Sequence, residues 1–161
     1  MKGKFIIILL LLFSIHCNAQ ESFPINFTSD SLRIAIQNIN NWNGKIISLK
    51  GEITTIKKGY ENKPYFLIKL GDSLSIWAGF LLNTNKNDIR IKDTVKILGY
   101  FTKVNSDDKV AKKYNKSNFH VLCFAILNLR NKKLLYHPGA NKQVSIWARG
   151  KIPNSTSDNK N

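Results

Sequence analysis

The sequence predicts a mainly β protein: five strands closed into one small barrel, with an amphipathic helix before it and a short C-terminal extension after it. Three observations carry that expectation. Between Lys45 and Val104 apolar and polar residues alternate in four successive runs, and a fifth, more apolar run follows at residues 119–129. Turn residues separate the runs, with Lys58-Gly59 after the first and Gly71-Asp72 after the second. Each run has an apolar face that must be covered, and closing the sheet on itself covers all of them while removing the edges. A small sandwich is the alternative. The barrel requires the first strand to touch both the second and the fourth.

At 161 residues the chain suits one domain with a real core. Residues 1–19 stand apart from it. Lys2 and Lys4 make a basic start, residues 5–15 are apolar, and Cys17-Asn18-Ala19 places small residues where a signal peptidase cuts. The expectation is a signal peptide cleaved after Ala19, a mature chain starting at Gln20, and a secreted or periplasmic protein. The apolar run is shorter than the roughly 20 residues that span a bilayer, so the mature chain is expected to have no transmembrane segment. Lipid anchoring at Cys17 is the lesser alternative, because Ser14-Ile15-His16 stands where lipoprotein signals carry small residues. After cleavage Cys123 is the single cysteine, which excludes an internal disulfide, and among Val121, Leu122 and Phe124 it reads as a small core residue.

Residues 20–44 form the N-terminal segment. Pro24 keeps its start irregular, Ser29-Asp30 offers capping oxygens, and Leu32, Ala35, Ile36 and Ile39 recur at helical spacing until the Asn-rich run before Gly44. In residues 45–130 the inward faces read Ile47, Leu49, Gly51 and Ile53, then Phe66, Ile68 and Leu70, then Leu74, Ile76, Ala78 and Phe80, then Val95, Ile97, Gly99 and Phe101. Ser48, Lys50, Glu52 and Thr54 fall on the opposite face of the first strand, and Gly51 marks a bulge or bend. Residues 105–118 are polar and lysine-rich, a loop or a short helical turn. In the extension, residues 131–152, Leu134-Leu135-Tyr136 reads as a short strand, and alternation of Val144, Ile146 and Ala148 favours one more extended segment packed on the barrel. Residues 153–161 read as a disordered tail.

Three stretches resemble the OB-fold, and within it the nucleic-acid-binding domains related to tRNA anticodon-binding modules. They are Gly51-Glu52-Ile53, the strand from Tyr65 to Leu70 running into Gly71-Asp72, and the segment from Asp93-Thr94-Val95 to Gly99. Lys92 departs from the pattern, standing where the family usually has glycine. The resemblance implies a five-stranded Greek-key barrel with ligands lying across the second and third strands between flanking loops. On that face it implies Tyr65, Lys69 and Trp77, with Lys50 on the first strand and Lys57, Lys58, Tyr60 and Lys63 around the first hairpin loop.

The chain has 25 basic and 10 acidic residues, a formal charge of +15, and its first 19 residues hold only two of the lysines. Such an excess favours polyanions: single-stranded nucleic acid, whose bases stack on aromatic rings while lysines hold phosphates, or an acidic glycan. An envelope protein partner without any polyanion is the competing reading, and the surface charge then only keeps the protein solvated. Trp77 is as readily a covered core residue as a stacking platform. Catalysis is not expected. His120 and His137 have no acid pair near them in sequence, His120 opens an apolar strand as a structural imidazole would, and neither a Gly-x-Ser-x-Gly turn nor a phosphate-cradling loop occurs. Arg33, Arg90, Arg130 and Arg149 are scattered, and Asp107-Asp108 lies among lysines, so no nuclease constellation forms. No metal or other cofactor is implied, and the sequence leaves the oligomeric state open.

Cleavage after Ala19 is checked by intact-mass measurement of the exported protein. A mass starting at Gln20 is the expected result; a lipidated species starting at Cys17 would place the protein on a membrane surface instead.

Overall fold

The computed structural model describes residues 27–72, 74–85 and 87–154. The readings placed on residues 1–26 and 155–161 lie outside the described residues. Helix α1 (Ser29–Gln37) is capped by Thr28, whose hydroxyl accepts from the Ser31 N–H at 3.2 Å. The cap thus falls one residue before the Ser29-Asp30 pair, and the Ser29 hydroxyl instead donates to the Leu70 carbonyl at 3.0 Å. The helix breaks at Asn38, a single turn α2 (Ile39–Trp42) follows, and Gly44, at φ 80°, redirects the chain into the first strand.

Strand β1 (Lys45–Lys58) is long because it serves two partners. Its first half, Lys45 to Glu52, pairs antiparallel with β4 (Thr94–Lys103), and its second half, Glu52 to Lys58, pairs with β2 (Pro64–Leu70). The change of partner demands a sharp bend, and Gly51 permits it. A β-carbon there would overlap the Lys69 carbonyl and the Ile68 side chain of β2. Just beyond, the register slips between Ile53 and Thr55, so that Ile53 faces Ile68 while Ile56 faces Phe66. The extra residue lets both isoleucines reach the core.

β2 pairs antiparallel with β3 (Leu74–Phe80). β5 (Phe119–Asn128) pairs antiparallel with β4 and parallel with the end of β3, Ala78 opposite Val121 and Phe80 opposite Cys123. That parallel pairing closes the ring β1-β2-β3-β5-β4, and the sandwich alternative falls. The ring has the OB-fold topology. Inside it Ile47, Leu49, Phe66, Ile68, Ile76 and Phe101 meet Leu32 and Ala35 of α1, which plugs one end. Cys123 is a buried free thiol within this core, and burial pushes its thiol pKa up.

The extension differs from expectation at residues 141–148. They form helix α4 (Asn141–Ala148), after strand β6 (Lys133–Tyr136) and a turn at Pro138–Ala140. The alternation of Val144, Ile146 and Ala148 misleads because what is buried is Ala140, Val144 and Trp147, at spacings of four and three. These residues cover Ile46, Leu98, Phe124 and Ala125 on the outside of β1, β4 and β5. Trp147 Nε1 donates to the Ser48 hydroxyl at 2.9 Å, so Ser48, expected on a solvent face, is fully buried. Among the described residues no helix is long and apolar enough to cross a membrane.

The connection from β3 to β4 is tied down at Asp93. Its carboxylate accepts from Arg130 Nε at 2.5 Å, from the Asn128 amide at 2.7 Å and from the Arg90 N–H at 2.9 Å. The Arg130 guanidinium and these further donors hold its pKa below the usual carboxylate range. Next to it, the Lys92 N–H donates to the Ile53 carbonyl at 2.7 Å, with Lys92 at φ 73°. This is the left-handed region where glycine carries no strain. Lys92→Gly is therefore expected to stabilise the fold by up to about 1 kcal/mol, relief of strain being partly offset by the greater freedom of glycine in the unfolded chain. Urea denaturation reads the change; a lowered midpoint would mean that the lysine side chain contributes more than its backbone costs.

Candidate functional site

The barrel walls differ in what covers them. α4 occupies the outside of β1, β4 and β5. The outside of β2 and β3, together with the end of β1, carries two cross-strand rows, Lys57-Tyr65-Gly79 and Thr55-Leu67-Trp77. The bulge sets this pattern by turning Lys57 outward beside Tyr65.

Helix α3 (Lys109–Tyr114), in the connection from β4 to β5, lies against one end of this wall. It forms because Asp108 caps it, accepting from the Ala111 N–H at 2.8 Å, while Ala111 is fully buried. Lys112 and Lys113 occupy its last turn, where the helix dipole favours cations. Its final residue, Tyr114, extends an aromatic series. The Tyr65 and Trp77 rings stack with centroids 4.8 Å apart and planes 8° from parallel, and Tyr114 lies 6.2 Å from Trp77. Lys113 Nζ stands 5.3 Å and Lys57 Nζ 6.0 Å from the Tyr114 ring centre.

Of the eight residues expected on the face, Lys57, Tyr60, Lys63, Tyr65 and Trp77 gather where the β1–β2 loop meets this wall. Tyr60 is 73% exposed at the loop tip, and the left-handed Glu61 and Asn62 turn the chain back so that Lys63 Nζ pairs with Glu61 at 2.8 Å. Lys58 turns to the barrel end, where it and Arg90 line an open cleft of about 670 Å³ between the β1–β2 loop and the β3–β4 connection. Lys50 and Lys69 are elsewhere. Lys50 lines a hollow beside Thr28 and Gly71 at the start of α1, and Lys69 sits opposite Glu52, four residues along β2 from Tyr65. At roughly 3.3 Å per residue, that is about 13 Å away.

Tyr65 needs correction as an outward stacking ring. It is 3% exposed, held between Trp77 and His120 and lying over Gly79. Trp77 is half-buried, one ring face taken by Tyr65. The rings open to a ligand are therefore Tyr60, the edge of Trp77, and Tyr114. Tyr114, Lys113 and Lys112 were missed by sequence reasoning; the signal for them was Asp108 followed by Ala111 and Tyr114 at helical spacing.

Beneath the rings runs a polar chain. Tyr65 Oη lies 3.3 Å from His120 Nδ1, and Asn115, which follows α3, donates from its amide to the Phe119 carbonyl at 2.6 Å. Burial pushes the phenol pKa well up, so it keeps its proton. Either the phenol O–H donates to Nδ1 or a protonated Nδ1 donates to the phenol oxygen. Among the described residues no three His, Cys, Asp or Glu side chains gather as metal ligands.

No protein-family model and no curated protein matches the chain. Among solved structures it is similar to the aspartyl tRNA synthetase from Entamoeba histolytica, at 12% identity and TM-score 0.45, over 64% of this chain and 21% of that one. It is also similar to the S. pombe Stn1-ten1 complex, at 14% identity and TM-score 0.38, over 65% of this chain and 67% of that one. The barrel is established by its own strand pairing.

His120 generates a test of the buried chain. Burial lowers its pKa from the ordinary 6.5, and the Asp108 carboxylate opposes that only in part. The unfolded ring therefore takes up a proton that the folded ring refuses, so stability is full above the ordinary imidazole value and falls as pH drops below it. Urea denaturation at about pH 7.5 and about pH 5.5 is expected to show this loss in the parent and a smaller loss in His120→Gln. Equal losses would trace the pH dependence to other groups.

Proposed function

We propose that this is a non-enzymatic binding module for a single-stranded anionic polymer, nucleic acid before acidic glycan, which crosses the outside of β2 and β3 between the β1–β2 loop and α3. One observation carries the reading: on the wall that α4 leaves bare, Lys57 and Lys113 flank the Tyr114 ring beside the Tyr65–Trp77 stack. Aromatic faces with cations at their edges suit bases joined by phosphates, each stacked base contributing roughly 1–3 kcal/mol. Lys109 and Lys112 are exposed on α3 and extend the cationic track. The OB topology supports the same face. Lys50, Lys58 and Lys69 stand outside the track and add only to the general positive field. We propose further that the module acts outside the cytoplasm, on the strength of the basic, apolar and small-residue order of residues 1–19.

A second reading rests on β6. This strand lies at the edge of the sheet, and Leu134 and Tyr136 on it are 37% and 38% exposed. An envelope protein adding a strand there would use the barrel as a docking module with no polyanion involved.

Titration of labelled single-stranded DNA, RNA and an acidic polysaccharide at two salt concentrations separates the readings. Nucleic acid is expected to bind with a steep salt dependence, the logarithmic slope being about 0.7 per phosphate contacted. Lys57→Ala with Lys113→Ala is expected to weaken binding at least about tenfold and to flatten the slope by one to two contacts, as loss of phosphate contacts should. Salt-independent binding, or a double variant that binds as the parent does, would overturn the polyanion reading.

A further inference from the structure

The strand would cross the rim of a small cavity that the stacking rings do not fill. It measures about 200 Å³ and lies between the β1–β2 loop and the β4–β5 connection, walled by Tyr60, Pro64, Leu81, Val110 and Leu122. That is below the roughly 300–1,000 Å³ of pockets for drug-sized ligands, and it suits a single ring system. The walls are apolar apart from a few groups whose positions decide what can enter.

His120 reaches this cavity from below. The residue is 5% exposed and lines the space, and while Nδ1 has Tyr65, Nε2 has no hydrogen-bond partner among the described residues and is not sealed off. With Nδ1 engaged by Tyr65, Nε2 is the imidazole nitrogen that the cavity offers to a ligand, and it is a donor when Nδ1 accepts from the phenol. The formal charges at the rim are Lys63, already paired with Glu61, and Asp108. A carboxylate at the rim disfavours a phosphate inside, and one imidazole nitrogen among apolar walls leaves the several hydroxyls of a sugar unsatisfied. A flat heteroaromatic ring with a polar edge meets every condition.

We infer that this cavity receives one base, turned out of the bound strand, whose polar edge hydrogen-bonds with His120 Nε2. The inference rests on the proposed polyanion reading and adds a fixed register to it: the phosphates lie on the lysines outside while a single base is read inside.

The test uses the full chain and a fluorescent oligothymidylate of about twelve residues, a length within the span that one such barrel contacts. A single abasic residue is moved along the oligonucleotide. Affinity is expected to drop about tenfold when it reaches one position and far less at its neighbours, because stacking elsewhere is sequence-tolerant while the cavity holds one base. Leu122→Trp, which fills the cavity from its exposed wall, is expected to erase that positional drop while keeping the salt dependence. In the parent, the His120 Nε2 nitrogen resonance should shift with the intact oligonucleotide and stay in place with the abasic one at the critical position. Salt-dependent binding with a flat abasic scan overturns the cavity inference and leaves the polyanion reading standing. Absence of oligonucleotide binding at low salt overturns both.

Discussion

Strand β1 has to satisfy two neighbours that lie at an angle to each other, and the rest of the molecule follows from how it does so. Pairing with β4 over its first half and β2 over its second leaves no flat solution, because a straight strand would part from one of them. The bend at Gly51 and the inserted residue beyond it reconcile the two pairings. They also choose the residues that face out. Had the strict alternation continued past Ile53, Lys57 would point to the core; the slip turns it to the wall where Tyr114 lies. One backbone irregularity thus closes the barrel and places a cation among the aromatic rings.

The C-terminal segment adds the complementary constraint. A five-stranded barrel has more wall than a small ligand needs, and an apolar exterior on every side would associate indiscriminately. α4 covers the side formed by β1, β4 and β5, where Ile46, Leu98 and Phe124 would otherwise meet water. What remains bare is mixed in character, with lysines and half-buried rings. The Asp93 cluster works at another point, tying the β3–β4 connection to the end of β5 through Asn128 and to the following turn through Arg130.

The strands were legible because a half-buried strand writes its burial with period two, and the inward residues of β2 and β3 match that pattern throughout. The closure was legible too, since four apolar faces in a row have few other ways to be covered. Three features were not. The bulge leaves no mark in a run such as Ile53-Thr54-Thr55-Ile56, where either register buries an isoleucine. Residues 141–148 carry an apolar residue at every second position from Val144, which serves a strand or a helix, and only the partners of Trp147 decide between them. Tyr65 was read as outward from its place on β2, and it is buried; the burial comes from His120 and the β4–β5 connection, more than forty residues later in the sequence. The Lys57–Tyr114 arrangement depends on the same distant segment: α3 had a local signal in Asp108, Ala111 and Tyr114, but its docking beside Lys57 had none.

Ser48 joins two parts of the chain that are otherwise far apart. Its carbonyl accepts from the Phe27 N–H at 2.8 Å and its hydroxyl from the Trp147 indole at 2.9 Å. The segment before β1 and the segment after β6 are thus fastened to the same residue in the middle of a wall. During synthesis the first of these bonds can form early, whereas the second must wait until Trp147 has emerged. Until then the hydroxyl and its apolar neighbours face water, and the growing polypeptide has an unfinished, adhesive flank.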